Sequence, residues 1–182
     1  RLSHAGLGCP DWPGCYGEVT WPKHDADIAA ANALHPDRPV EVHKAWKEMV
    51  HRYFAGLLML TTFVLAALAV RNRKDIVQPW RAVMFAAFFI LFQAALGMWT
   101  VTWKLKPIVV MGHLLGGLAT MAMLAWTAMR ASGVHGGATI KRATLVVALV
   151  LVSIQIALGG WTSANYAAFA CAMDYPTCLQ QW

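Results

Sequence analysis

Four stretches without a single Asp, Glu, Lys or Arg, residues 53–70, 82–103, 107–129 and 143–173, restrict this chain more than any other feature. A hydrocarbon core of about 30 Å is crossed by ~20 helical residues, so each stretch can cross once, the first by starting its helix earlier, near His43 or Ala45. Backbone groups in lipid must be satisfied internally, and the alternation expected of strands is absent, which leaves helices. The fold class expected is therefore all-α, a polytopic transmembrane helix bundle with four spans. None of the stretches is N-terminal with a cleavage site, so none reads as a signal peptide. Composition agrees: 58% of the 182 residues are hydrophobic and 13% are charged, which excludes disorder and argues against an ordinary soluble domain.

The formal net charge of +6 resembles a nucleic-acid signal until the basic residues are located, between the apolar runs. Arg71, Arg73, Lys74 and Arg81 face one acid, Asp75, after the first run; Arg130, Lys141 and Arg142 face none after the third. Both loops are expected to be cytoplasmic, and no nucleic-acid partner is implied. The connection with Lys104 and Lys106, and the N-terminal segment that mixes acids with Arg1, Lys23 and Arg38, then lie outside. The same count puts Cys9, Cys15, Cys171 and Cys178 on the outer, oxidising face. That agreement supports two disulfides; local pairing is the simplest of three connectivities, and zinc is the alternative, against which the spacing argues.

An internal repeat follows. Gln93 to Thr100 and Gln155 to Thr162 both read Q-x-A-L-G-x-W-T, and His51 and His113 are separated by the same offset as the two copies. The repeated unit is a helix hairpin. Cys9 to Cys15 and Cys171 to Cys178 share the ending D-[WY]-P-x-C. Because the later copy follows a membrane helix, a helix is expected before Arg1, and further helices after Trp182. Membrane proteins built from such repeats commonly bind something between their halves.

His51 and His113 each open an outside-to-inside helix at similar depth, so the two imidazoles can supply both axial positions of a haem iron. The bland alternatives are a hydrogen-bonded histidine between helices for His113 and a headgroup-wetted one for His51. Glu48 lies three residues before His51, on the same face and one turn nearer the outer surface. There its carboxylate can point at the edge of a bound haem, or simply pair with Arg52 in i,i+4 register. Arg52 can equally hold a haem propionate. Gln93 and Gln155, near Gly97 and Gly159, suit interhelical hydrogen bonding and close helix packing. His24, His35, Asp25, Asp27 and Asp37 read as solvated loop residues rather than a metal site. A short helix over 25–34 should end before Pro36 and Pro39, and Trp12, Trp21 and Trp46 suit an interfacial belt.

The segments GCPDWPGCYG from Gly8, EMVHR from Glu48, GH from Gly112 and GGWTSANY from Gly159 together resemble the haem A synthase family, over nearly the whole chain. The resemblance implies an eight-helix, pseudo-symmetric protein of two four-helix halves. On it, this chain holds the second to fifth helices: 1–42 an extracytoplasmic loop with a Cys pair, 43–130 three helices of the N-terminal half, 131–142 a cytoplasmic linker, and 143–182 the first helix and Cys loop of the C-terminal half. The resemblance further implies oxidation of a methyl group of haem O to the formyl group of haem A, in cytochrome oxidase biogenesis. Haem O would be bound as substrate at His51 and His113, with Glu48 as catalytic carboxylate, and haem b as cofactor on helices beyond Trp182. It implies the bacterial inner membrane, Cys loops on the periplasmic side, and partnership with haem O synthase or a second copy. A bis-histidine cytochrome b electron carrier would need the histidines but not Glu48. A membrane thiol oxidase would need the cysteines, although neither pair is C-x-x-C.

Overall fold

The computed structural model describes residues 8–75, 78–133 and 141–165. The regular elements among these residues are all helices: α1 (Asp25–Leu34), α2 (Val42–Arg71), α3 (Trp80–Thr102), α4 (Pro107–Ala131) and α5 (Arg142–Ala164). The last four are long and apolar enough to cross a membrane, and no strand occurs among the described residues. The all-α, four-span expectation is borne out. Helix α1 occupies the span read from sequence, with Asp25 and Asp27 in its first turn, where they complement the helix dipole. Pro107 opens α4, where its missing N–H costs nothing.

Helix α2 begins at Val42, a residue before the earlier of the two starts considered. Its 30 residues give a length of about 45 Å, well beyond a hydrocarbon core of about 30 Å. The surplus is the polar first turns carrying Lys44, Lys47 and Glu48, and on these the outer loop rests.

Helix α2 packs on α3, α3 on α4 and α4 on α5; among the described residues no other pair of helix backbones comes close. The α3–α4 connection is tight. Lys104 and Leu105 take left-handed φ values of 49° and 60°, and the Leu105 N–H reaches back to the Thr100 carbonyl at 2.8 Å. This closure sets the antiparallel register that lays Gly97 opposite His113.

A compact apolar cluster lies outside the long helices, where Cys9, Cys15, Tyr16 and Ala31 close over Ala45 and Met49 of α2, flanked by Trp21 and Val40. The long helices instead expose large side chains such as Phe54, Phe88 and Leu149. In water such faces would drive aggregation, whereas lipid leaves them at no disadvantage.

Candidate functional site

The site is built from one turn of α2. Glu48, His51 and Arg52 stand at i, i+3 and i+4, so they share a face. The Glu48 carboxylate is fully engaged: Oε1 accepts from Arg52 Nη2 at 2.6 Å, and Oε2 accepts from the backbone N–H groups of Gly8 at 2.8 Å and Cys9 at 3.3 Å. Arg52 also donates to backbone carbonyls of the cysteine loop: Asp11 at 3.0 Å, Pro13 at 3.2 Å, and Gly14. The pair is largely withdrawn from solvent, with side chains 12% and 10% exposed for Arg52 and Glu48.

The loop that this pair holds is itself well determined. The Sγ atoms of Cys9 and Cys15 lie at disulfide distance, 2.05 Å. Cys15 and Glu18 exchange backbone hydrogen bonds around Tyr16 and Gly17, whose φ values of 57° and 81° are those of a two-residue hairpin turn. The Asp11 carboxylate accepts from both turn N–H groups, at 2.6 and 2.8 Å. Gly8 presses on the α2 backbone so closely that a Cβ would lie 2.6 Å from the Lys44 carbonyl. Tyr53 Oη, one turn below Met49, donates to the Val19 carbonyl at 2.7 Å. Burial pushes the Tyr16 phenol upward, and its hydroxyl donates to the carbonyls of Arg38 and Pro39 at 3.2 and 3.4 Å.

One turn below Glu48, His51 meets His113. The ring centroids are 6.5 Å apart and the planes nearly perpendicular, at 88°. The α2 and α4 backbones flank α3 without packing on each other, and the two imidazoles meet across the space between them. His113 is seated on α3: a Cβ on Gly97 would stand 3.3 Å from its Cε1. A turn deeper, Gly116 leaves room for the Gln93 side chain, whose Nε2 would lie 1.6 Å from a Cβ there.

The structure thus brings together Glu48, His51, Arg52, His113 and the Cys9–Cys15 loop. Arg52, which the sequence offers either to Glu48 or to a propionate, is occupied here by Glu48 and the loop carbonyls. His24, His35, Asp25, Asp27 and Asp37 form no metal-ligand group among the described residues. Trp12 and Trp46 are exposed, while Trp21 leans on the outer cluster. Cys171 and Cys178 lie outside the described residues. In the second repeat copy, Gly160 packs on Met111 and Leu114 of α4, and nothing stands within 4 Å of a Cβ on Gly159. Sequence reasoning missed the grip of the outer loop on Glu48, since backbone N–H groups leave no trace in side-chain spacing. Gln93, expected from the repeat to hydrogen-bond between helices and to pack closely, does lie against Gly116, but among the described residues neither atom of its buried amide has a hydrogen-bond partner.

The chain matches the COX15-CtaA family, described as cytochrome oxidase assembly protein, over residues 1–182. It belongs to that family. It is also 46% identical over 187 residues to a protein named "Heme A synthase" from Shewanella oneidensis, an alignment that covers all of this chain and 56% of the relative. The chain therefore spans about half the length of the curated relative it matches. No solved structure gives a significant match. The family resemblance drawn from the sequence motifs is borne out.

Proposed function

We propose that this chain forms the haem O-binding part of a haem A synthase, which oxidises a methyl group of haem O to the formyl group of haem A. The observation that carries the reading is the His51–His113 pair. An imidazole bound end-on sits with its nitrogen about 2 Å from a metal, so a pair on opposite sides of one ion has centroids about 6 Å apart. The observed 6.5 Å suits that arrangement, and a donor set of two imidazoles without a thiolate or carboxylate suits haem iron better than zinc. The name carried by the Shewanella oneidensis relative supports the reaction.

Converting a methyl to a formyl group removes four electrons and adds one oxygen atom; side chains cannot accept those electrons, and haem iron would relay them to an external acceptor, with the oxygen drawn from water or dioxygen. The chain's own residues do the rest. His51 and His113 would hold the iron, one from α2 and one from α4. Glu48, one turn above His51, accepts a proton or offsets positive charge developing at the porphyrin edge. To take a proton it must exchange one of its present partners, Arg52 or the Gly8 and Cys9 N–H groups. Cys9 and Cys15, joined as a disulfide, keep those N–H groups in place. The proposed topology has residues 1–42 periplasmic, 43–130 membrane-spanning, 131–142 cytoplasmic and 143–182 returning outward, in the bacterial inner membrane.

One observation favours a second reading, the non-catalytic bis-histidine electron carrier: all the hydrogen bonds of Glu48 are structural in this arrangement, so the carboxylate has a use without catalysis. Haem extraction and mass analysis of the full-length protein decides between them. Hydroxylated or formylated products of haem O in wild type, with unconverted haem O in Glu48→Ala and no haem O bound in His113→Ala, support the synthase. Haem b alone in every sample, even with haem O supplied, refutes it.

A further inference from the structure

Three buried side-chain atoms have no hydrogen-bond partner among the described residues: Nε2 and Oε1 of Gln93 and Nδ1 of His113. An unpaired buried polar group costs about 1–3 kcal/mol, so three on one helix contact call for an explanation. All three belong to the α3–α4 interface. The Gln93 amide lies against Gly116, and the His113 ring lies against Gly97, whose Cβ would be 3.9 Å from Nδ1. Gln93 precedes Gly97 by one turn on α3, and His113 precedes Gly116 by one turn on α4, so the amide and the imidazole are about 5 Å apart along the axes. A side chain with three rotatable bonds spans that distance.

The neighbouring hydroxyls are already engaged, and the Gln93 backbone carbonyl also faces the His113 ring, an acceptor that Gln93→Leu leaves in place. Thr100 Oγ1 donates to the Gly97 carbonyl at 2.6 Å and Thr120 Oγ1 to the Gly116 carbonyl at 2.8 Å. Gln93 itself is 6% exposed, so bulk water does not reach its amide.

We infer that Gln93 is the positioning residue of His113: its amide oxygen accepts the Nδ1–H hydrogen bond, which leaves Nε2 as the nitrogen presented to iron. Metal-bound histidines generally donate their second ring N–H to such a partner, which fixes the tautomer and ring orientation and raises ligand basicity. Gly97 and Gly116 make the contact possible by leaving space for the ring and the amide. The inference rests on the reading that His113 ligates haem.

The test uses the full-length, haem-loaded protein and follows the haem component that His113→Ala removes. In Gln93→Leu, haem dissociation is expected to quicken about tenfold or more. The midpoint potential rises, because loss of the acceptor weakens the ligand most in the ferric state; each tenfold change in relative affinity corresponds to about 59 mV. Gln93→Glu keeps the acceptor and the volume, so it retains haem and holds the potential at or below that of wild type, which also covers the case in which the leucine variant fails to fold. Unchanged dissociation and potential in Gln93→Leu, or a potential above wild type in Gln93→Glu, overturns the inference while leaving haem ligation intact. Loss of no haem component in His51→Ala and His113→Ala overturns the ligation reading, and this inference with it.

Discussion

Replacing Arg52 with lysine tests whether the guanidinium is what fastens the cysteine loop to α2. Arg52 spreads its hydrogen bonds over two nitrogens: Nη2 serves Asp11 O and Glu48 Oε1, and Nη1 serves Pro13 O and Gly14 O. A lysine ammonium keeps the charge but is a single point without the planar fork, so it reaches about half of these acceptors. A hydrogen bond to a charged group contributes about 1.5–3 kcal/mol, and the partial exposure of the site and replacement by water bring two lost bonds to about 2–3 kcal/mol in all. The loop opens locally rather than with the whole bundle, so this cost should appear as a roughly 30- to 150-fold loss of hydrogen-exchange protection. The amides to follow are those of Gly8 and Cys9, bonded to Glu48, with peptides from α1 as the internal control. Protection within about threefold of wild type in Arg52→Lys would refute the assignment of Arg52 as the fastening group.

Other outcomes follow from neighbouring contacts. Gly116→Ala places a Cβ 1.6 Å from Gln93 Nε2 and 2.7 Å from its Cδ, but these end a flexible side chain that can swing toward His113, so it should cost the detergent-solubilised protein no more than about 1 kcal/mol in thermal unfolding. Gly117→Ala, with nothing within 4 Å, should be neutral or stabilising by up to about 1 kcal/mol. The raised Tyr16 phenol means that the fold favours its protonated form. Its contribution is therefore complete below the usual phenol value of about 10 and is lost as pH climbs through the raised value, and Tyr16→Phe should abolish that alkaline loosening in hydrogen exchange of the loop. Glu48→Gln retains one acceptor oxygen, so loop protection should fall by no more than about tenfold while Glu48→Ala loses more; conversion of haem O that vanishes in both variants assigns Glu48 to the chemistry.

The spans were legible because absence of charge over a helix-long stretch has few causes, and α1 was legible because its acids and the prolines at 36 and 39 act locally. Spacing also brought Glu48, His51 and Arg52 to one face, since three and four residues make a helical turn. The meeting of His51 with His113 was legible only through the repeat, which carries long-range information that local periodicity lacks. What could not be read was the grip of Gly8 and Cys9 on Glu48. Those bonds use backbone groups about forty residues away in sequence, and they form because the Tyr16–Gly17 turn and the absence of a Cβ at Gly8 let the loop lie on the Lys44 carbonyl. The polar role of Gln93 between helices was legible from the repeat, but not which group its amide would meet, because sequence spacing does not say what faces a side chain across a helix contact.

The length of α2 ties these elements to the kind of molecule the site suits. His51 is nine residues past the start of α2 and His113 six past the start of α4, or about 14 and 9 Å along the axes. On the proposed topology both therefore lie just inside the outer boundary of the hydrocarbon core. Above them are Glu48, Arg52 and the carbonyls of the cysteine loop; below them α2 presents Phe54, Leu57 and Leu58, all exposed. A ligand held at this level has one end among charges and carbonyls and the other in lipid. A peptide redox partner would satisfy only the upper half and an isoprenoid quinone chiefly the lower. An iron porphyrin with carboxylates at one edge and a long apolar tail would satisfy both, and on the proposed ligation His51 and His113 would then sit where its polar and apolar parts join.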